Sequence, residues 1–323
     1  MSDVSHVPPQ RVAFVGQATF FEACSLEPDA AAGVGIESRF IEFRQGADSA
    51  GLVAALDAFA PDVTVVFRPE VLPAGILHDV PGAVLGFLTE PLPRADSGAP
   101  RHEDLEGRLW ELSQVDPLNV DRVVAFDPLI ATTAESAVPV WRSLPLPVAD
   151  RFYRSVPQPP MRPRVLFVGR STPHREKLLR EAKADHDVLH LAFGVDAAHL
   201  EELLADCDIA INIHNNPYPS FENRVCLHLA AGNLVVTEPL SPTHGLEVGI
   251  DYLQFDTGGE LSSLIEAIER FPGTWHDVRI RGRRKAEIFR ASRVYPRLIH
   301  DLHADLRTRP SQRPGSRLLA QEA

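Results

Sequence analysis

The residues best suited to bind an anionic group follow a short apolar run in the second half of the chain. Residues 164–169 are rich in valine and end in glycine, a pattern typical of a buried parallel strand. Gly169 lets a ligand approach the backbone, Arg170 offers a guanidinium that can hold two oxygens, and a helix is predicted from about His174. Lys177 lies one turn into that helix. Together with the helix N-terminus these groups predict a phosphate or diphosphate site; the alternative is an ordinary tight turn.

A polar loop after the predicted strand at 209–213 is the second candidate site. Two prolines stiffen it, and stiff polar loops at the carboxyl edge of a sheet are commonly binding surfaces. The alternative is a structural loop in which Ser220 caps the next helix and Glu222 pairs with Arg224. The side chains that we expect to contact a ligand are Asn215, Tyr218, Ser220, Phe221, Glu222, Asn223 and Arg224.

Three further candidates also follow predicted strands. Glu238 comes directly after the strand at 234–237 and is a candidate to hold sugar hydroxyls. The loop that contains His244 and Gly245 offers backbone donors. Glu90 follows the strand at 83–88 and is the candidate catalytic base, although a carboxylate at a strand end is as often a cap or a member of an ion pair.

The remaining motifs argue against a metal site and against a dinucleotide-binding site. Asp206-Cys207-Asp208 lies where a helix is predicted to meet a strand, which indicates boundary capping rather than a metal site. The histidine pairs lack further ligands at zinc-like spacing. No Gly-x-Gly-x-x-Gly follows either leading strand, and there is no Walker loop or Gly-x-Ser-x-Gly elbow. We therefore expect no metal and no bound cofactor.

The elements that must position these residues alternate between strands and helices. This alternation predicts an α/β fold with mainly parallel sheets. Residues 164–169 nearly copy 11–16, and Thr89-Glu90-Pro91 recurs as Thr237-Glu238-Pro239, with displacements of 153 and 148 residues. The chain is therefore expected to contain two similar Rossmann-like halves, although short apolar strands can also resemble one another by chance.

Seven prolines between positions 139 and 163 predict a stiff linker between the two halves. The last residues carry the Pro, Gly, Ser and Gln of a loose tail. The expected domains are residues 1–150 and 164–290, followed by a helical end over 291–308 and a flexible tail over 309–323.

Composition limits the class of protein. The 323 residues suit two domains, and 44% hydrophobic with 24% charged residues is a globular profile. A net charge of −12 argues against binding to nucleic acid or to an anionic membrane. We find no transmembrane run and no signal peptide, and we interpret the three cysteines as reduced, mostly buried thiols. The expected location is the cytoplasm.

These motifs resemble glycosyltransferases of the GT-B type, in particular the spore-protein glycosyltransferase-like and family-4-like groups. The resemblance covers about residues 11–308 and is strongest over 164–270. The segments that carry it are Val168-Gly169-Arg170, Ser220-Phe221-Glu222-Asn223-Arg224, Leu229-Ala230-Ala231-Gly232, Leu234-Val235-Val236-Thr237-Glu238, and Gly249 with Tyr252-Leu253.

The resemblance implies two Rossmann-like domains that face a cleft, with the nucleotide-sugar donor on the second and the acceptor on the first. A final helix, here 291–308, would cross back to the first domain. Arg170 and Lys177 would neutralise the donor diphosphate, and Arg224 matches an arginine of the spore-protein-like group. The implied reaction is metal-independent transfer of a sugar such as a hexose from a nucleotide-diphosphate donor to an acceptor that these residues do not specify.

One departure from the family pattern bears on this function. Family-4 members carry two glutamates at positions that correspond here to Pro219 and Leu227. The ribose and sugar contacts are then missing or are supplied by Glu222 or Glu238. Two alternatives stay open: a nucleotide-sugar epimerase on the same fold, and a non-catalytic protein that binds a sugar or a nucleotide.

Overall fold

The computed structural model of the chain describes residues 8–94, 102–192 and 195–316. The chain divides into two compact units. The first unit comprises Met1–Leu144 and Ala291–Ala323, and the second comprises Pro145–Arg290. Each unit has its own parallel β-sheet with helices between the strands. The predicted α/β fold with two Rossmann-like sheets is therefore confirmed.

The first unit contains a six-stranded sheet. Its strands are β1 (Gln10–Gly16), β2 (Ile36–Glu42), β3 (Val63–Phe67), β4 (Ala83–Leu88), β5 (Arg122–Ala125) and β6 (Val140–Ser143). They pair in parallel in the order β2-β1-β3-β4-β5-β6. β3 and β4 are buried at every position, as expected for apolar strands that are covered on both faces.

The helices of the first unit lie between these strands and at the end of the chain. They are α1 (Ala18–Phe21), α2 (Pro28–Ala32), α3 (Ser49–Phe59), α4 (Glu103–Leu112), α5 (Ala131–Ala134) and, after the second unit, α11 (Ala291–Thr308). The bounds of α3 follow from its flanking residues, because Asp48 caps its start and Pro61 comes shortly after its end.

The second unit contains a five-stranded sheet. Its strands are β7 (Val165–Val168), β8 (Val188–Leu191), β9 (Ile209–Asn212), β10 (Leu234–Thr237) and β11 (Leu253–Gln254). The order is β11-β10-β9-β7-β8, and all neighbours are parallel. Its helices are α6 (Pro173–Asp185), α7 (Ala197–Asp206), α8 (Arg224–Ala230), α9 (Gly258–Arg270) and α10 (His276–Lys285).

The proline-rich stretch at 139–163 is not simply a linker, so that interpretation is wrong in part. Its first residues form β6, which pairs with β5 at the edge of the first sheet. An edge strand tolerates a proline at its start because one side of its backbone has no partner strand. The division between the units falls at Leu144, and the rest of the stretch belongs to the second unit.

The last helix packs in the first unit, with residues from the beginning of the chain. The Tyr295 hydroxyl donates to the carbonyl of Cys24 at 2.6 Å, and its ring meets Phe14 edge to face with 4.7 Å between centroids. On the next turns Gln10 hydrogen-bonds His303 at 2.9 Å. The first unit is thus completed by residues that follow the second unit in sequence.

The flexible tail predicted over 309–323 is wrong for its described part, residues 309–316. Arg313 is buried there, and its Nε lies 3.1 Å from Oδ2 of Asp121. Its other nitrogens donate to the carbonyls of Leu77, Val80 and Gly82. A buried guanidinium needs this many acceptors to offset its lost hydration, so the segment is fixed to the first unit. Composition alone did not show these partners.

The structure also bears on the cysteines and on membrane-spanning helices. All three cysteines are buried and none forms a disulfide. Within the described ranges no helix is both long enough and apolar enough to cross a membrane.

Replacing Arg313 by Ala should destabilise the first unit. The side chains of Arg313 and Asp121 are both 0% exposed, so the change leaves a carboxylate buried without its cation. We expect the free energy of unfolding to fall by about 3–5 kcal/mol in urea denaturation. Arg309→Ala is the matched control, because that side chain is 78% exposed and its pair with Asp305 is worth less than about 1 kcal/mol. If Arg313→Ala and Arg309→Ala unfold at the same urea concentration, the segment 309–316 is not fixed to the first unit by Arg313.

Candidate functional site

The predicted binding residues of the second unit meet at the carboxyl edge of its sheet. β10, β9 and β7 are neighbours, so the segments that follow them lie side by side. Arg170 follows β7, Asn215 follows β9 and Glu238 follows β10. The Arg170 Nε donates to Oδ1 of Asn215 at 3.0 Å, which joins the first two of these loops. This edge is where ligands of open α/β sheets bind.

Arg224, at the start of α8, reaches across to the end of β7. Its Nη1 donates to the carbonyl of Val168 at 2.7 Å, and its guanidinium lies 6.0 Å from the centre of the Phe167 ring. The predicted contact with Glu222 is also present, with Nη2 donating to Oε2 at 3.0 Å. The arginine is thereby held at the sheet edge beside Gly169.

Arg175, on the first turn of α6, is a site residue that the sequence analysis missed. Its side chain is only 3% exposed, and its Nε lies 3.1 Å from the carbonyl oxygens of both Ile213 and His214. Its Nη1 donates to the carbonyl of Arg170 at 3.1 Å. The available signal was its position on the face of α6 that also carries Leu178, Leu179 and Ala182, because an arginine there must be buried with partners.

Lys177, by contrast, is not brought into this site. It lies two residues further along α6 than Arg175, and its side chain is exposed. In the described parts of the chain it makes no hydrogen bond or ion pair with the loops at the sheet edge. The helix turns Lys177 two residues away from the position of Arg175, which is the side chain that α6 presents to the sheet edge, and the role of Lys177 at a diphosphate stays a prediction.

Gly169 allows two of these guanidiniums to approach the backbone. A Cβ at this position would lie 2.7 Å from Nη1 of Arg224 and 3.1 Å from Nη1 of Arg175. Any larger residue would displace them. We call Arg170, Arg175 and Arg224 the arginine cluster.

Glu222 lies between two members of the arginine cluster. Besides its hydrogen bond with Arg224, its Oε1 is 3.8 Å from Nη2 of Arg175. The pKa of Arg175 is lowered to about 9 by burial and by the positive charges of Arg224 and Arg170, while Glu222 and Glu238 offset part of this. The charged form of Arg175 is thus less favourable at this buried position than it is in water.

Glu238 is buried and already holds two partners. Its Oε1 accepts from Nε2 of His174 at 2.9 Å, and its Oε2 accepts from the backbone N–H of His214 at 2.7 Å. The carboxylate therefore ties the start of α6 to the loop after β9. Its predicted role in holding sugar hydroxyls stays a prediction.

The loop after β9 is fixed by its own polar groups. Nε2 of His214 donates to the carbonyl of Pro239 at 2.9 Å, so Nδ1 accepts from the Ser220 hydroxyl at 3.1 Å. Ser220 therefore does not cap the next helix, so this part of the alternative is wrong, whereas its contact between Glu222 and Arg224 is present. Asn223 occupies the N-cap position of α8 without a capping side-chain bond, and Tyr218 is half-buried.

The loop after β10 meets this loop through an aromatic contact. Phe221 is buried and meets the ring of His244 edge to face, with 4.5 Å between centroids. His244 has a φ of 50°, a left-handed conformation that is costly for a residue with a side chain, and Gly245 follows at 81°. The structure thus brings His244 next to the predicted loop, whereas the role of its backbone donors stays a prediction.

Glu90 belongs to the first unit, at the end of β4. Its Oε2 lies 2.9 Å from Nη1 of Arg108, and Nη2 of the same arginine lies 3.4 Å from Oδ2 of Asp104. Glu70 and Glu90 line one small cavity in the first unit. Burial raises the pKa of the Glu70 carboxyl. The ion pair that we considered for Glu90 is present, and its role as a base stays a prediction.

The comparisons with known proteins concern the fold. The sequence matches no protein-family model and no curated protein. HepE of Anabaena, solved in complex with UDP-glucose, superposes with a TM-score of 0.61 at 12% identity over 91% of this chain and 99% of that chain.

Two further structures agree with this. A sucrose-phosphate synthase of Thermosynechococcus elongatus has a TM-score of 0.56 at 12% identity, over 92% of this chain and all of that one. A glycosyltransferase of Rickettsia africae has a TM-score of 0.57 at 11% identity, over 93% and 99%. The chain has the GT-B fold. The finer resemblance to the spore-protein-like group stays a prediction.

Replacement of His228, one turn beyond Arg224 on α8, should change the acid stability of the second unit. Burial and the charge of Arg224 lower the pKa of His228 to about 3. Between pH 6.5 and 3 the unfolded chain binds a proton that the folded chain does not, so this group lowers stability as pH falls, by up to about 1.4 kcal/mol per pH unit.

His228→Leu should therefore show a shallower loss of stability over this range in urea denaturation. His199→Leu, which changes an exposed histidine on α7, should keep the slope of the unmodified chain. If the free energy of unfolding falls with pH at the same slope in the unmodified chain and in His228→Leu, the imidazole of His228 is not held neutral by burial.

Proposed function

We propose that the chain is a glycosyltransferase that moves a sugar from a nucleoside-diphosphate donor to an acceptor, with no metal and no cofactor besides the donor. The observation that carries the proposal is the arginine cluster. Three guanidiniums lie beside one another at the carboxyl edge of the second sheet, with one carboxylate, Glu222, between two of them. This excess of positive charge suits a diphosphate.

The arginine cluster would act mainly on the leaving group. When the bond between sugar and diphosphate breaks, negative charge grows on the diphosphate while the sugar becomes oxocarbenium-like. Guanidiniums already fixed by carbonyl acceptors, such as those of Arg175 and Arg224, stabilise that charge without moving. The N-terminus of α6, capped by Thr172, adds a dipole of the same sign. These groups would supply the charge that a metal supplies elsewhere.

The fold supports a nucleotide sugar as the donor. HepE, which shares the GT-B fold with this chain, was solved with UDP-glucose. On this proposal the donor is held by the second unit, and the acceptor by the first unit, where Glu90 would accept the proton of the acceptor hydroxyl. A hexose is the first sugar to test.

A second candidate is a protein that binds a nucleotide or sugar without transferring it. Its support is that Pro219 and Leu227 replace the family glutamates, while Glu222 and Glu238 already have partners in the site. This candidate predicts binding of UDP-glucose without release of UDP in the presence of any acceptor.

Nucleoside diphosphates should raise the melting temperature of the chain. A ligand at one hundred times its dissociation constant stabilises the folded state by about 2.7 kcal/mol. Thermal denaturation with UDP, GDP and TDP tests the donor, and the matching nucleosides are the controls because they lack the diphosphate. No shift with any of the three at millimolar concentration would contradict the proposed donor class.

Arg170→Ala should weaken binding of the diphosphate by about 1.5–3 kcal/mol, the range for a hydrogen bond to a charged group. Arg170→Lys should recover only part of this, because lysine lacks the planar pair of donors. Isothermal titration with the nucleotide that gives the largest thermal shift measures the effect. Arg180→Ala, at an exposed position on the same α6 helix, is the matched control. If Arg170→Ala and Arg180→Ala bind equally well, the phosphate site lies elsewhere.

A further inference from the structure

Glu222 occupies the space in which an anion would meet the arginine cluster. Its two carboxylate oxygens face different arginines: Oε2 accepts from Arg224 at 3.0 Å, and Oε1 is 3.8 Å from Arg175. The second distance is longer than a hydrogen bond, so the Arg175 contact is an ion pair without a formed bond. A carboxylate that spans two guanidiniums has the same charge sign and the same acceptor oxygens as a phosphate.

Glu222 also covers the buried member of the pair. The side chain of Arg175 is 3% exposed, whereas that of Glu222 is 20% exposed. The other nitrogens of Arg175 are taken by carbonyl groups, so Nη2 is the donor that faces Glu222. A ligand that is to contact this Nη2 must first move the glutamate, and the partly exposed side chain of Glu222 can turn toward solvent.

The neighbouring groups stay in place when Glu222 moves. Arg224 keeps its bond to the Val168 carbonyl and its position against Phe167. Arg175 keeps its three carbonyl contacts. Arg175 and Arg224 are therefore each held by backbone carbonyls, so movement of Glu222 frees donors on both arginines and leaves these contacts intact.

We propose that Glu222 is a built-in anion that holds the phosphate position of the ligand-free chain, and that the donor diphosphate must displace it in order to bind. This inference rests on the proposed function and names the residue that sets its selectivity. A diphosphate carries more charge and more acceptor oxygens than the carboxylate does, so it wins the exchange. A singly charged anion gains too little to do so. Glu222 would thereby reject weakly charged ligands.

Glu222→Gln tests this directly, because the amide has nearly the same shape and no charge. Isothermal titration with pyrophosphate and with UDP should show binding about tenfold tighter than that of the unmodified chain. Uridine, which has no phosphate, should bind both proteins equally. Glu202→Gln is the matched control, because it removes the same charge at an exposed position on α7, a helix that carries no member of the arginine cluster. Its affinities for pyrophosphate, UDP and uridine should be those of the unmodified chain.

The other roles of Glu222 predict different results. If the carboxylate holds the sugar or ribose, Glu222→Gln weakens UDP-glucose and leaves pyrophosphate unchanged. If its role is structural, the variant melts at a lower temperature and binds every ligand less well. Either result overturns the proposal. So does a gain in affinity for pyrophosphate and UDP in Glu202→Gln that is as large as the gain in Glu222→Gln.

The same titrations separate this inference from the proposed function. Tighter binding of pyrophosphate by Glu222→Gln, with no sugar transferred from any donor by the unmodified chain, supports the displaced anion and contradicts the glycosyltransferase. Sugar transfer together with unchanged affinity in Glu222→Gln supports the enzyme and overturns the displaced anion. Failure of both proteins to bind pyrophosphate and UDP overturns both.

Discussion

The organisation of the second unit depends on the burial of one guanidinium. Arg175 is almost fully enclosed, and a charge in that position is tolerated only where acceptors surround it. The acceptors come from the loop after β7 and the loop after β9, so the same contacts that satisfy the arginine also fix these two loops against α6. The guanidinium is therefore positioned by backbone acceptors from two loops.

The two acidic residues of the site have different relations to this guanidinium. Glu238 is buried and holds His174 and the backbone of His214, so it acts as a brace between α6 and the sheet. Glu222 is partly exposed and faces the arginines themselves. The carboxylate of Glu238 thus joins two elements of the fold, whereas that of Glu222 balances part of the positive charge of the arginine cluster.

The first unit illustrates a related use of buried charge, at the end of the chain. Because the chain returns to the first unit after residue 290, α11 and the segment up to residue 316 complete a unit whose sheet is built from the first 144 residues. Arg313 fixes this return through Asp121 and three backbone carbonyls. Contacts between such distant parts of the sequence carry a large loop-closure cost, and a fully satisfied buried ion pair is one way to hold them.

The sequence by itself determined the fold class and most of the site's location. Apolar runs such as those of β1 and β7 show their strands directly because they are buried on both faces, and the alternation with helices then places the polar loops at one edge of the sheet. Arg170, Glu222 and Arg224 could be found in this way.

Only the tertiary structure decided which side chains turn inward. Arg175 and Lys177 are two residues apart on one helix, and the face that packs on the sheet selected the first and left the second in solvent. The same holds for Arg313, whose acceptors lie more than 190 residues away in sequence. Local composition carries no record of such partners, because the free energy of a buried charge depends on groups that only folding brings together.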